Sequence, residues 1–371
     1  MTVQSKWESF KAGMRPRIAE WKFMLKRIRQ STIGMVGIGI VLFFVAVAFL
    51  ALIIAPPQAI DPFSIPIDDE LSKVASSQPT PPTLRHVFGT TSLQYDIFYG
   101  CIWGTITAFR IGLVVVVVSL LMGVTVGTVA GFYGGLLDEA LMRFTDIIIA
   151  FPGLVLAMAL VLAFPQLITL DLSTIVLVVA LLATFVFLIV RPERRLIMAS
   201  FIVIVASLIS VFFYPLNISL NLSKLDKVLI AITIVGWPGY ARLIRGEVLR
   251  IKNEDYIEAS RASGSSDART IMKHILPNTI YPILIVATLD IGSIVLTAAA
   301  LSFIGLGAEA NYADWGQLIS SSQASLTDPK TIGRNFHTFL IPGLFITFFV
   351  VGWNLLGDAL RDVLDPMLRR R

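Results

Sequence analysis

The chain has 371 residues, of which 56% are hydrophobic and only 15% charged, with a formal net charge of +5 and a mean hydropathy of +0.79. A soluble chain would carry about a quarter charged residues. Continuous apolar runs of about 20 residues match a bilayer and exclude a transmembrane barrel, whose strands alternate, so the fold class is an all-α polytopic membrane protein.

The cationic excess lies beside the apolar runs, where it sets their orientation, and is not a nucleic-acid signal. Cys101 has no partner for an internal disulfide, and His86, His274 and His337 lack metal-ligand spacing, so no metal site is expected. Residues 1–32 are basic, and Trp7, Phe10, Met14, Ile18, Trp21, Leu25 and Ile28 recur at spacings of three and four. That pattern predicts an amphipathic helix on the cytoplasmic face of the membrane, in contact with lipid. A cleaved signal sequence is not expected, because the charged stretch is too long and no small-residue cleavage site follows the apolar run cleanly.

A first span is expected over 33–54, running outward from this basic side. The segment 55–104 is acidic and proline-rich and lies outside. A second span, Thr107–Ala130, returns inward to the turn Gly131–Gly135. The third, Leu137–Phe164, carries Asp138, Glu139, Arg143 and Asp146 in its first turns; Asp138 and Asp146 each reach toward an arginine one or two turns away. Phe151-Pro152 should bend this helix.

Residues 171–227 hold two further apolar stretches, Leu172–Val190 and Leu196–Leu216, around an arginine-rich turn (Arg191, Arg194, Arg195). One added span would invert everything after it. Two preserve the orientation and place the arginines inside, so an inserted transmembrane hairpin and about eight spans in all are expected. The sequons at Asn217 and Asn221 arise easily by chance, and glycosylation is not expected.

A span over Val228–Ile244 passes through Trp237-Pro238, and Arg242, Arg245, Arg250 and Lys252 then mark the cytoplasm. The next, Thr279–Ile304, carries Asp290, an acid at lipid depth. It reads either as a pathway-lining carboxylate or as an internal hydrogen-bonding group that fixes helix packing. The last span is Phe339–Leu356, followed by a cytoplasmic tail, 357–371, so both termini are placed inside.

Between the spans lies the polar run Tyr256–Pro277. It predicts two short helices broken at Gly264, which ends a helix cheaply in the left-handed region. Asn253 is the expected N-cap of the first, with acids in its first turn; Ser266 or Asp267 caps the second, and Pro277 closes the segment. The residues alone equally allow a solvated loop with helical content.

Glu258-Ala259, then Gly264, then Leu276-Pro277 resemble the EAA loop of ABC importer permeases, and His274–Asn278 is similar to the dipeptide/oligopeptide branch in particular. Ser260 stands where the family often has Ala, and His274 where it usually has Ile. Phe88, Gly89, Thr90 and Asp96, the stretch Leu141–Leu160, Leu301–Gly307, Asp314-Trp315-Gly316, and Gly357-Asp358 with Arg361-Asp362 and Asp365-Pro366 extend the likeness over 1–165 and 228–371. Gln94-Tyr95 replaces the family's usual Gly-Arg, and Ala298 stands near a position where many members carry Glu.

The resemblance implies an ABC importer type I permease core, 105–356, interrupted by the insertion at 171–227 and carrying the coupling loop at 253–277. It implies a second homologous permease, two ABC ATPase subunits and an extracytoplasmic substrate-binding protein as partners. ATP and Mg would be bound by the ATPases, since this chain has no phosphate-cradling loop and no catalytic arrangement, and no cofactor is expected in it. The implied ATPase-coupling set is Glu258, Ala259, Ser260, Arg261, Gly264, Asp267, His274, Leu276 and Pro277. The pathway-lining candidates are Asp290, Phe151, Pro152 and Trp237. Family substrates are di- and oligopeptides, nickel or oligosaccharides. Two other classes compete: an ion-coupled secondary transporter using Asp290, and a membrane scaffold.

Overall fold

A computed structural model describes residues 29, 31–67, 78–171, 181, 184, 203–204, 217–323 and 333–364. The expected N-terminal amphipathic helix, nearly all of the inserted apolar pair and the Asp365-Pro366 pattern lie outside the described residues.

The first helix, α1 (Thr32–Ile54), starts where Ser31 Oγ accepts the Gly34 N–H at 3.1 Å. Helix α2 (Ile97–Tyr133) begins ten residues before the expected span. Asp96 fixes that start: its carboxylate accepts the Tyr99 N–H at 2.9 Å and meets His86 Nδ1 at 2.7 Å. The third expected span is two helices. Helices α3 (Gly135–Ile149) and α4 (Gly153–Ala163) meet at 89° around Pro152, the expected bend.

A short antiparallel ribbon, β1 (Leu167–Asp171) with β2 (Asn217–Asn221), then departs from an all-helical chain; its register pairs Asp171 with Asn217. Helix α5 (Lys224–Ile251) opens with a reciprocal capping box between Ser223 and Asp226. The polar run forms α6 (Asp255–Ala262), a single turn α7 (Asp267–Thr270) and a wide π turn, Ile271–Ile275. That turn leads into α8 (Leu276–Phe303). Helices α9 (Trp315–Ser320) and α10 (His337–Leu364) complete the order.

Among the described residues, five helices are long and apolar enough to cross a membrane, or six elements if the bent α3–α4 pair is one span.

The chain divides into two compact units. The first takes residues up to Gly112, Leu284–Leu296 and Asn311 onward. Here α1 packs on α10 through glycines. A Cβ on Gly37 would meet Leu355 at 2.8 Å, and one on Gly352 would meet Ile40 at 2.7 Å. Phe44 of α1 meets Phe349 of α10 edge-on at 5.3 Å. The Asp-Trp-Gly motif is structural here. Asp314 accepts the Gln317 N–H to cap α9, and buried Trp315 donates to the Cys101 carbonyl at 3.0 Å, its indole against Gly104.

The second unit takes Leu113–Ile283 and Thr297–Ala310. Its frame is α2 against α5, with Gly123, Gly127 and Gly131 of α2 facing Tyr240, Ala241, Ile244 and Val248 of α5. Small residues every fourth position let two backbones approach this closely.

Candidate coupling elbow

The polar run Tyr256–Pro277 lies wholly in the second unit, and its local chemistry dictates its shape. Glu254 occupies the N-cap position of α6, with no side-chain cap hydrogen bond. Asn253, the expected cap, instead donates from Nδ2 to the Leu249 carbonyl, so it closes α5 and does not open α6. Helix α6 ends in a Schellman arrangement. The Ser265 N–H reaches the Ser260 carbonyl at 3.1 Å and the Gly264 N–H reaches Arg261 at 2.9 Å, with Gly264 at φ +81. Ser266 then caps α7, its Oγ accepting the Arg269 N–H.

The following turn is wide because Pro277 comes directly after it, in the first turn of α8. Proline has no N–H and its ring crowds the carbonyl four residues back, so the Leu276 N–H bonds to Ile271, five residues back. Asn278 Nδ2 donates to the His274 carbonyl at 2.6 Å.

The elbow is anchored by apolar contacts. Ile257 of α6 and Ile275 of the wide turn are fully buried, in one cluster with Phe132, Ile244, Val248, Ile251 and Ile283. Burying one such side chain contributes about 2 kcal/mol. Arg261 lies over the Phe132 ring at 4.9 Å, which ties α6 back to the end of α2. Lys252 Nζ donates to the Gly131 carbonyl at 2.9 Å and joins the ends of α2 and α5 beneath it.

The opposite side is open. Glu258, Ala259, Arg261, Gly264, Lys273 and Pro277 are exposed, Ser260, Asp267, His274 and Leu276 half-buried. Met272 stands 68% exposed beside them, an apolar side chain that the reading of the sequence did not single out. Among the described residues Glu258 makes no ion pair with Arg261 or Arg242; those arginines are turned to Phe132 and Asp146.

The acids of α3 find their arginines on α5, not one or two turns along their own helix. Asp138 takes Arg245 in a bidentate pair, 2.5 and 2.7 Å, and Asp146 takes Arg242 at 2.7 Å. Only Arg143 pairs locally, with Glu139 at 3.2 Å. Opposite charges at the inner ends of two separate apolar runs were the available signal, but pairing needs the helix register, which sequence spacing does not carry.

The pathway candidates are distributed over both units. Asp290 belongs to the first and is half-buried on α8. Phe151, Pro152 and Trp237 belong to the second. Phe151 and Pro152 are exposed at the α3–α4 break, whereas Trp237 is buried and stacked on Phe144 at 6.0 Å, so its ring is taken up by packing.

Residues 123–370 match the family described as binding-protein-dependent transport system inner membrane component. The dipeptide transport system permease protein DppC of Alkalihalophilus pseudofirmus is 29% identical, over 95% of this chain and 91% of its own length. The oligopeptide transport system permease protein OppC of Bacillus subtilis is 30% identical, over 94% and 90%. The glutathione transport system permease protein GsiD of Pectobacterium atrosepticum is 29% identical, over 94% and 92%. With a match over most of its length and relatives along nearly all of it, the chain belongs to the inner membrane components of binding-protein-dependent transport systems, the non-catalytic permeases of ABC transporters.

Proposed function

We propose that this permease carries di- and oligopeptides, or related solutes such as glutathione or oligosaccharides, into the cell. It forms the pathway with a second homologous permease and is driven by two ATPase subunits docked on the elbow at 253–277. An extracytoplasmic binding protein delivers the substrate. The relatives named for dipeptide, oligopeptide and glutathione transport support the substrate class.

The observation that carries the coupling reading is the two-sided build of α6. One side is locked into a buried cluster through Ile257, and the other presents small exposed residues, Ala259, Ala262 and Ser263, beside the exposed Glu258. A rigid element continuous with the ends of α5 and α8 transmits a push; a loop without an anchored side would absorb it. Pathway lining is assigned to Phe151, Pro152 and Asp290.

The test is uptake by the assembled complex in proteoliposomes. Glu258→Arg should lower ATP-dependent uptake at least tenfold, while Asp290→Asn leaves it within about threefold. The reverse pattern, with uptake following an ion gradient and no ATP, would establish the secondary carrier instead.

Eight spans, with both termini cytoplasmic, remain the proposed topology. The ribbon supports it: its antiparallel strands set Asp171 beside Asn217, which a single added span between them would hold on opposite sides of the bilayer. Replacing 172–216 with Asn-Gly should close β1 and β2 as an ordinary two-residue hairpin. The shortened permease should still assemble with its partners, read by co-purification. Loss of assembly would mean that the insertion holds the core together.

A further inference from the structure

Arg110 stands on α2 with its side chain exposed. Its depth follows from neighbours in the same unit. Trp103 Nε1 donates to the carbonyl of Ala55, just past the end of α1, at 2.9 Å. Seven residues further along α2, at about 1.5 Å per residue, Arg110 lies about 10 Å inside that level. The adjacent Phe109 meets Phe349 at 5.2 Å, and Phe349 meets Phe44, which lies midway along α1. A guanidinium at this depth is expensive against lipid, so the surface it occupies faces protein or water.

Two irregular segments descend to the same level. Ala313 donates to Phe63 at 2.7 Å and Ile65 to Asn311 at 2.8 Å, and Thr107 Oγ1 of α2 donates to the Ala313 carbonyl at 2.7 Å. Backbone outside helices is tolerated at this depth only where it is buried in protein or lines a cavity. Tyr312, stacked flat on Phe63 at 5.2 Å, brings its hydroxyl beside Thr107 and Arg110. That hydroxyl is buried and completes no hydrogen bond of good geometry. A neutral phenol has one proton to donate.

We propose that Arg110 is a carboxylate-binding site on the translocation path, taking the free C-terminal carboxylate of a passing peptide, with Tyr312 as its positioning residue. The planar fork of N–H donors matches a carboxylate in two parallel hydrogen bonds, which a lysine ammonium does not. The proposal rests on the peptide-importer reading above and adds the group on the substrate that is held.

The test uses Arg110→Cys in the full complex. The native Cys101 is buried and will not compete for reagent. A water-soluble cationic methanethiosulfonate and its anionic counterpart are applied, and labelling is read by mass. Uptake of a peptide is compared with uptake of its C-terminal amide at saturating loaded binding protein.

Arg110→Cys should lower uptake of the free acid at least tenfold and bring the wild-type preference for acid over amide to about one. The cationic adduct should restore uptake of the acid and the anionic adduct should not; Arg110→Lys should keep part of it. Position 110 unreactive to both reagents, adducts of either charge acting alike, or a wild type without preference for the acid would each overturn the proposal. A wild-type complex that takes up no peptide at all sinks the importer reading; failure confined to the position-110 results sinks only this site.

Discussion

Gly127→Leu should remove folded permease from the membrane. A Cβ at Gly127 would collide with the Ala241 carbonyl and come within 2.9 Å of Ile244 Cβ, both rigid parts of α5. Gly123 and Gly131 sit in the same stripe, so the two helices cannot part at one point without losing contact at the others. In lipid no hydrophobic effect drives the helices back together, and close packing is most of what holds them. Overpacking costs about 1–3 kcal/mol where neighbours can shift, and here the neighbour is backbone. Gly127→Ala should be intermediate. Gly246→Ala, where among the described residues nothing beyond the helix's own backbone lies within 4 Å of the new methyl, should leave protein levels unchanged. Size-exclusion profiles of the detergent-extracted complex give the measurement, and a normal Gly127→Leu profile would contradict the packing.

Reversing one charge of the Asp138–Arg245 pair should abolish uptake, and reversing both should restore it to within about threefold. The pair is bidentate and largely shielded, with side-chain exposures of 15% and 34%. Removing one partner of a buried pair costs roughly 3–5 kcal/mol, and the partial exposure of Arg245 puts this one at the low end. The neighbouring Asp146–Arg242 pair provides the contrast. Its side chains are 59% and 53% exposed, and such pairs contribute about 0.5 kcal/mol. Asp146→Ala should therefore leave uptake nearly intact. The readouts are ATP-dependent uptake and the amount of assembled complex. A double reversal as inactive as the singles would show that the identity of these residues, and not their attraction, is what matters.

Much of the helical frame was legible because lipid imposes a simple requirement. The runs ending at Ile54 and beginning near Thr279 stand within three residues of the observed helices. Gly264 and Ser266 revealed the break between α6 and α7 because left-handed backbone and N-caps are local chemistry. Other features depend on distant partners. The start of α2 was misplaced because Ile97, Cys101 and Trp103 are buried by protein beyond the end of α1, not by lipid, and hydropathy does not separate the two. The ribbon was missed because Asn217–Asn221 pairs with a strand far back in sequence. The likeness to the EAA loop located the elbow, but Ile257 as its anchor and Arg261 over Phe132 required the fold.

The pairing of Asp171 with Asn217 also bears on how this permease can diverge. With the two ends held side by side, whatever lies between them adds no offset between the flanking strands. The stretch can therefore grow, shrink or be exchanged for a foreign sequence while the machinery on either side keeps its register. It is a ready graft point, where new surface can be acquired without retuning the transporter beneath.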